Sequence, residues 1–237
     1  MPISGTTCRL AGVLACVLVV ACCGRLSPGV RPQPVAPSPP AASAPTPGAS
    51  ALSGLPGTVQ RVDGAGWDAT GLSGTAPLPG ACHSGRAQNG AALPDRRCTP
   101  GAVDVTVTQG NLASTICRAG GYSESVRPPE SVTEPFKRVA LAAYAEAGPS
   151  SEYELDHLVP LGLGGASSVA NLWPEPDDHP RPGFANSKDV VELELHDLVC
   201  AAVEGRRHLP LVTAQALIAE DWTTAMALAR QGMVGAG

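Results

Sequence analysis

The sequence has few aromatic residues and an uneven distribution of acids. Phe, Tyr and Trp together make up 3% of the 237 residues, so a hydrophobic core must be built mainly from Leu, Val and Ala. No Asp or Glu occurs in residues 1–57, and all 21 acids lie in the remainder against 13 Lys and Arg. The later part of the chain is therefore acidic, which argues against tight nonspecific binding of nucleic acid through a basic surface.

The sequence also lacks an apolar run long enough to span a membrane as a permanent helix. Residues 10–23 are apolar, and this length is typical of the hydrophobic region of a signal peptide. The run ends in small, apolar residues before Cys22, which resembles a lipobox, the bacterial signal in which the cysteine becomes lipidated. We predict a signal peptide over residues 1–22, with Cys22 as the lipid anchor. Cys23 is the alternative register, and an ordinary secretory signal or an uncleaved anchor is the alternative interpretation.

Residues 23–57 are dominated by Pro, Ala, Ser and Gly and contain no acid. Such a composition cannot bury enough apolar area to offset the entropy of the chain, so an extended, disordered tether is predicted. A plain disordered terminus is the alternative. Residues 58–231 are then long enough for one domain with its own core.

The sequence contains no Cys-x-x-Cys pair, which argues against a structural zinc knuckle. Four cysteines lie in the predicted domain: Cys82, Cys98, Cys117 and Cys200. An even number in an exported chain favours two disulfides, for which three pairings exist. We favour Cys82–Cys98, which closes a short loop. Cys117–Cys200 would then join the front of the domain to a late helix.

Three helices are predicted in this domain from capping residues and apolar periodicity. Thr133 is a suitable N-cap for the first helix and Gly148 closes it, while Thr213 caps the last. The predicted ranges are residues 134–147, 185–201 and 214–230. On the first helix one apolar face is expected to pack on the core, formed by Phe136, Val139, Ala140, Ala143 and Tyr144. The last helix is expected to turn inward Leu217, Trp222, Ala225 and Ala229.

The strand pattern is weaker than the helical pattern and extends over shorter segments. Valines alternate with polar residues from Val103 to Val107, which predicts a strand that Gln109–Asn111 interrupts. Residues 58–81 hold a short strand at most, and the segment between Cys82 and Cys98 is expected to be irregular. Residues 153–173 are expected to form two short strands joined by a long, glycine-rich loop.

One segment carries a motif with chemical meaning. Within residues 153–200 the sequence reads DHLVPLGLGG, then NLWP, then ANSKDVVELELHDLVC, and this resembles the HNH endonuclease motif. The flanking stretches PDRRCTPGAVDVTVTQGNLASTIC, VRPP and AQALIAEDW resemble exported bacterial proteins of the same type, so the resemblance covers most of residues 94–225. It implies an α+β fold with a ββα-metal (HNH-like) core, additional helices and a disulfide-tied N-terminal β/loop region.

The resemblance also implies roles for individual residues. His157 would be the general base, because an imidazole can take a proton from water near neutral pH. Asp156 would be a metal ligand, and Asn171 would orient the histidine ring. Asn186 falls where the family has its third His or Asn, usually a metal ligand. Asp178 and His179 are alternative ligands.

The metal implied by the resemblance is a hard divalent cation. Carboxylate and amide oxygens suit Mg²⁺ or Mn²⁺ best, with Zn²⁺ as an alternative. The cation would supply the positive charge that the acidic domain lacks, because it binds phosphate oxygens directly.

Simpler structural explanations exist for most of these residues. The Asp-His pair can belong to a structural hairpin, and Asn171 can be a turn or cap residue. Lys188 and Glu192 are most simply an exposed ion pair, with a phosphate contact from Lys188 as the alternative. Surface or loop positions are expected for His83, His196 and His208. Core positions are expected for Trp173 and Trp222.

The sequence therefore predicts an exported, membrane-tethered, metal-dependent endonuclease. Its substrate would be DNA, with RNA as an alternative, and its sequence preference low because no separate reading module is present. The membrane would be contacted through the lipid anchor, and no protein partner can be inferred. A non-catalytic lipoprotein binding module on the same scaffold is the main alternative. A hydrolase of another phosphodiester or of a cell-envelope substrate is a further one.

Overall fold

The computed structural model describes residues 59–178, 182–183 and 186–234. The predictions for Cys22, for the signal region and for the linker up to residue 57 lie outside these residues, as does the alternative ligand His179. The described chain has an α+β architecture of short strands and helices. The strands are β1 (Gln60–Val62), β2 (Trp67–Asp68), β3 (Gly71–Leu72), β4 (Gly85–Arg86), β5 (Ala92–Leu93), β6 (Ala102–Asp104), β7 (Tyr153–His157) and β8 (Leu172–Pro176). The α-helices are α1 (Ser123–Val126), α2 (Glu130–Ala143), α3 (Ser187–Cys200) and α4 (Leu211–Val234).

The strands form four separate two-stranded sheets in the described residues. β1 pairs with β6 in parallel, whereas β2–β3, β4–β5 and β7–β8 are antiparallel. The β7–β8 pair has the longest register, from Tyr153 opposite Pro176 to His157 opposite Leu172. This confirms the two strands expected on either side of the glycine-rich loop. The β4–β5 hairpin was not expected, because the segment between Cys82 and Cys98 carries no strand periodicity.

The strand predicted from Val103 to Val107 is shorter than its sequence pattern. β6 ends at Asp104, whose Oδ1 atom accepts hydrogen bonds from the backbone N–H and the hydroxyl of Thr106 at 2.8 and 2.7 Å. Such a local side-chain bond replaces the ladder partner of the next residue and turns the chain. A 3₁₀ turn then follows at Gln109–Ser114.

Helix α2 begins four residues before its predicted start. Pro129 occupies the N-cap position, so Thr133 lies inside the helix and is not its cap. Pro135 is also inside, at the sixth position of the helix, where its ring removes a hydrogen bond to the carbonyl four residues earlier. Val139 keeps 38% of its surface exposed, whereas the other predicted residues of the inner face are buried: Phe136, Ala140, Ala143 and Tyr144.

Helices α3 and α4 pack against each other and form the largest part of the core. The helical backbone of α4 is interrupted at Asp221, where φ is −161° and ψ is 100°. The Asp221 carboxylate accepts bonds from the N–H and hydroxyl of Thr223, so it caps the second half of the helix. The predicted buried residues of this helix are confirmed, and Trp173 and Trp222 are both core residues. No helix in residues 59–178 or 186–234 is long and apolar enough to cross a membrane.

Two disulfides hold the domain together, and both favoured pairings are confirmed. Cys82–Cys98 joins residues 16 positions apart, and Cys117–Cys200 joins residues 83 positions apart. The loss of chain entropy in the unfolded state gives the shorter cross-link about 3 kcal/mol and the longer one about 4.5 kcal/mol. Disulfides of this kind are typical of proteins from an oxidising compartment.

Candidate functional site

The two sides of strand β7 carry different chemistry. Side chains alternate along a strand, so Glu154 and Asp156 share one face and His157 lies on the other. The first face meets α3, where Asp156 pairs with Lys188 and Glu154 accepts a hydrogen bond from Asn186. Asp156 and His157 are therefore adjacent in sequence but point in opposite directions.

Lys188 is the centre of the polar contacts on the α3 side. Its side chain has no exposed surface, and its ammonium lies 2.9 Å from Asp156 Oδ2. It also donates to the carbonyl of His157 at 2.8 Å and pairs with Glu192 on the next turn of α3. Trp173, opposite Asp156 in the strand register, donates its indole N–H to the same carboxylate at 2.8 Å. The expectation of an exposed Lys188–Glu192 pair is wrong, because this lysine anchors α3 to β7 in the interior.

Carboxylates outnumber cations around Lys188. Glu175 is 3% exposed, lies opposite Glu154 in the strand register, and forms no ion pair with another described residue. Burial raises the pKa of Glu175 well above its ordinary value, and the charge of Asp156 raises it further. Burial also raises the pKa of Glu154 and that of Glu192.

Lys188 is the charged partner that this group of acids requires. Burial alone would lower the pKa of Lys188, but the carboxylates of Asp156, Glu192 and Glu175 outweigh that effect and raise it. One ammonium is thus the counter-charge of several carboxylates. The group therefore carries a net negative charge, or some of its acids are protonated.

His157 is buried on the opposite face of β7. It is 7% exposed, and its Nε2 atom lies 2.9 Å from the hydroxyl of Ser167. Burial lowers the pKa of His157 to about 4; Asp156 opposes this effect, and the charges of Arg127 and Lys188 add to it. The imidazole is therefore neutral at neutral pH, with one ring nitrogen engaged by a serine.

Asn171 is fully buried, and its amide is used by the backbone. Its Oδ1 accepts from the N–H groups of Ala102 and Val159 at 3.1 and 2.9 Å. Its Nδ2 donates to the carbonyls of Val159 and Ala166, both at 2.9 Å. All four hydrogen-bonding positions of the amide are thus filled. The structure assigns Asn171 to holding the loop after β7, and not to orienting His157.

The glycine-rich loop between β7 and β8 folds back tightly on the end of β7. Gly164 has a φ of 73°, the left-handed region that glycine adopts without strain. A Cβ atom on Gly165 would lie 1.8 Å from the carbonyl oxygen of Val159. The close backbone approach brings Ser167 to His157 and Asn171 to Val159. The Gly-Gly pair is therefore a steric requirement of the site.

Asn186 is the N-cap residue of helix α3, which starts at Ser187. Its backbone N–H donates to the Asp189 carboxylate at 3.0 Å, which is half of a capping box. Its amide oxygen accepts from the N–H of Asp178 at 3.2 Å, and its amide nitrogen donates to Glu154 at 3.3 Å. Asp178 in turn accepts from the N–H of Ser187 at 2.7 Å. Asn186 and Asp178, both predicted as possible metal ligands, thus hydrogen-bond to the first turn of α3 or to each other.

The residues expected to meet at one metal site, Asp156 and Asn186 as ligands and His157 as general base, do not converge. Asp156 and Asn186 lie on the α3 side of β7, whereas His157 lies on the other side. The oxygen donors on the α3 side have the chemistry of a hard-cation site. Within that group the ammonium of Lys188 is the present counter-charge of Asp156.

Glu192, one of the acids that pair with Lys188, also lines an open groove of about 300 Å³. Glu192 and His196 of α3 line one wall, and Arg127 and Gly162 contribute to the other. Arg127 is exposed, and its charge lowers the pKa of both His157 and Glu154. Arg127 is therefore a cation of the groove whose charge acts on side chains of both faces of β7.

A second group could hold a metal ion. Cys117, His196 and Cys200 offer ligand atoms that all lie within 4.8 Å of one another. The two sulfurs are joined in a disulfide, so they are ligands only after reduction. His196 was expected at the surface and is instead half-buried, with its Nε2 atom 3.3 Å from Cys200 Sγ. The spacing of His196 and Cys200, four residues apart on a helix, was a sequence signal for this contact.

Neither the half-buried acid Glu154 nor the buried acid Glu175 was predicted as a site residue. Their signal is positional, because Glu154 precedes Asp156 by two residues and so shares its face of the strand. Glu175 follows Trp173 in the same way on β8. Comparison with protein-family models, with curated proteins and with solved structures gave no match to this chain.

Proposed function

We propose that this chain is a metal-dependent phosphodiester hydrolase of the HNH type that acts on nucleic acid, DNA in the first instance. The observation that carries the proposal is the buried excess of carboxylates where β7 meets α3. Glu154, Asp156 and Glu175 lie on one side of an antiparallel strand pair, and the helix that follows supplies Asn186 to the same side. Burial first, and then the charge of Asp156, raise the pKa values of Glu154 and Glu175, and the charge of Lys188 does not offset these two effects.

The donor set fits Mg²⁺ or Mn²⁺, because each donor is a carboxylate or amide oxygen. Glu154, Asp156 and Glu175 would hold the ion, with Lys188 giving up part of its contact to Asp156. When bound, such an ion neutralises the charge on a phosphate and assists the departure of the leaving oxygen. In this proposal β7, β8 and α3 form a ββα-metal core.

The roles of the protein residues follow from their positions. His157 is neutral at neutral pH, and in this proposal it accepts a proton from water; that role requires Nε2 to leave Ser167 and the ring to reach the side of β7 that carries the carboxylates. Arg127 is the cation placed to meet a phosphate of the substrate in the groove. Positive charge from Arg127 and from a bound ion would offset the acidic surface that disfavours a polyanion.

The first experiment is nicking of supercoiled plasmid DNA by disulfide-intact protein. We expect nicking with Mg²⁺ or Mn²⁺, none with chelator, and loss of at least about 100-fold in His157→Ala, in line with the loss of a general base. His208→Ala is the matched control, since His208 is exposed and distant in sequence from the strand pair. Wild-type protein that fails to nick DNA or RNA with any of several divalent ions would disprove the proposal.

Arg127→Gln tests the groove separately. We expect a higher KM with little change in kcat, and a salt dependence of log KM whose slope falls by about 1. Arg138→Gln is the control, because Arg138 is an exposed arginine on α2. Equal salt slopes for the two variants would exclude Arg127 as a phosphate contact.

One observation favours a second candidate, a non-catalytic binding module on the same scaffold. His157 is buried and bonded to Ser167, and Asp156 is already neutralised by Lys188, an arrangement that is complete without a metal ion. Direct binding of Mn²⁺, measured by calorimetry on wild type and on Glu175→Gln, separates the two candidates. The hydrolase requires that the wild type binds Mn²⁺ and that Glu175→Gln binds it more weakly. The binding module requires no Mn²⁺ binding and no difference between the two proteins.

We also propose that the protein is exported and tethered to a membrane through Cys22. The two disulfides support an oxidising compartment. In a bacterial host, Cys22→Ser should move the protein from the membrane fraction to the soluble fraction. Unchanged fractionation of this variant would rule out Cys22 as the anchor.

A further inference from the structure

We propose that reduction of the Cys117–Cys200 disulfide creates a site for a zinc-class metal ion, with both thiolates and His196 Nε2 as ligands. His196 and Cys200 are four residues apart on α3 and so lie on the same face of the helix. Cys200 Sγ is 3.3 Å from Nε2. Two ligands of a tetrahedral zinc ion, one sulfur and one nitrogen, lie about 3.5 Å apart. The helix therefore already holds two ligands at the required separation.

The histidine is held in the orientation that metal ligation requires. Its Nε2 atom faces the sulfur, while its Nδ1 atom lies 3.7 Å from the carboxylate of Asp197. A carboxylate hydrogen-bonded to the second ring nitrogen is the common partner of zinc-bound histidines, because it fixes the ring and its tautomer. Asp197 must come closer than its present 3.7 Å to form that bond. In the oxidised protein Nε2 lies 3.0 Å from the carbonyl of Ile116. Metal binding replaces that contact and moves the ring proton to Nδ1.

The site is accessible to a reductant and to a metal ion. Cys117, His196 and Cys200 are all partly exposed. His196 also lines the groove of about 300 Å³, which provides an entry path and room for a water molecule as fourth ligand. Thiolate ligands select zinc-class or Cu(I) ions over Mg²⁺. The site is thus chemically separate from the oxygen donors around Lys188 and does not rest on the proposed hydrolase activity.

The disulfide form becomes the metal-bound form in two steps, thiol–disulfide exchange and then metal binding. A dithiol reductant breaks the S–S bond, transfers two electrons and two protons to the two sulfurs, and becomes a disulfide itself. Binding of the metal ion then displaces one proton from each thiol to solvent. The metal-bound and disulfide forms exclude each other, because both use the same two sulfurs.

The test uses Co²⁺ as a spectroscopic probe of the reduced, metal-free full-length protein under anaerobic conditions. We expect one Co²⁺ per chain, with the charge-transfer absorption of two thiolate ligands, and at least about tenfold weaker binding in His196→Ala. The oxidised protein should show no such absorption. The matched control is the Cys82→Ser/Cys98→Ser variant, which should bind Co²⁺ as the wild type does. These two cysteines belong to no three-residue His/Cys/Asp/Glu group of this kind within residues 59–178 and 186–234.

Three outcomes would overturn the proposal. The first is a reduced wild type that binds Co²⁺ no better than Cys117→Ser/Cys200→Ser. The second is equal affinity in wild type and His196→Ala, since two free thiols without the imidazole would then explain the binding. The third is reduction that unfolds the chain without recovery of the helical circular dichroism signal on addition of Co²⁺ or Zn²⁺.

Discussion

The burial of His157 makes a quantitative prediction about stability and pH. In the unfolded chain this histidine has its ordinary pKa of 6.5, whereas burial lowers the folded value to about 4. The folded state therefore binds fewer protons, and the stabilising contribution is present above pH 6.5 and lost as the pH falls through 4. The shift corresponds to about 3 kcal/mol of unfolding free energy between pH 7 and pH 4.

The assay is urea unfolding of wild type and His157→Gln at several pH values from 7 to 4. Subtracting the two curves removes the titration of the carboxylates, which is common to both. We expect the advantage of the wild type to shrink by about 3 kcal/mol over this range. His208→Gln, an exposed control, should lose stability in parallel with the wild type. Parallel curves for wild type and His157→Gln would refute the reasoning, because they would mean that His157 titrates normally in the folded protein.

Three further predictions concern residues that hold the site together, each measured as the free energy of unfolding in urea. Lys188→Met should destabilise by about 3–5 kcal/mol at pH 7, since it leaves buried carboxylates without their cation; the cost should decrease at pH 5, and a constant cost would contradict this. Asn171→Ala leaves four buried backbone groups unpaired and should cost more than about 3 kcal/mol; a cost below 1 kcal/mol would mean that water replaces the amide. Gly165→Ala places a Cβ 1.8 Å from a backbone carbonyl and should cost more than about 4 kcal/mol. Gly232→Ala, in open space on α4, should instead stabilise by up to about 1 kcal/mol, and equal effects at the two glycines would exclude the steric explanation.

Local signals predicted the order of the elements around the site. The β7 and β8 strands, the glycine-rich loop and helix α3 lie close to their expected positions, because turn residues and apolar periodicity act over a few residues. The sequence pattern did not predict element boundaries that are set by side-chain hydrogen bonds. β6 ends early because Asp104 bonds to Thr106, and no periodicity encodes that bond.

The candidate site was predictable in its residue types but not in its contacts. Asp156 and His157 are adjacent in sequence, and the HNH-like motif predicts that both belong to one metal site. The pleat of β7 separates them, because successive side chains of a strand point to opposite faces. Lys188 looked like half of an exposed helical pair, since the spacing of Lys188 and Glu192 is the same on a buried face as on an exposed one.

The sequence by itself determined the local chemistry of this protein: an acidic domain, four cysteines in two pairs, a glycine-rich turn and an Asp-His strand end. Each of these depends on composition or on neighbours within a few residues. Only the tertiary structure decided which charges meet. It buried Lys188 among carboxylates from two strands, set His157 against Ser167, and placed His196 beside the Cys117–Cys200 disulfide. Lys188 meets Asp156 because α3 packs on the strand pair, and Ser167 meets His157 because the glycine-rich loop folds back on β7. The Cys117–Cys200 disulfide joins residues 83 positions apart and fixes the end of α3 beside Cys117.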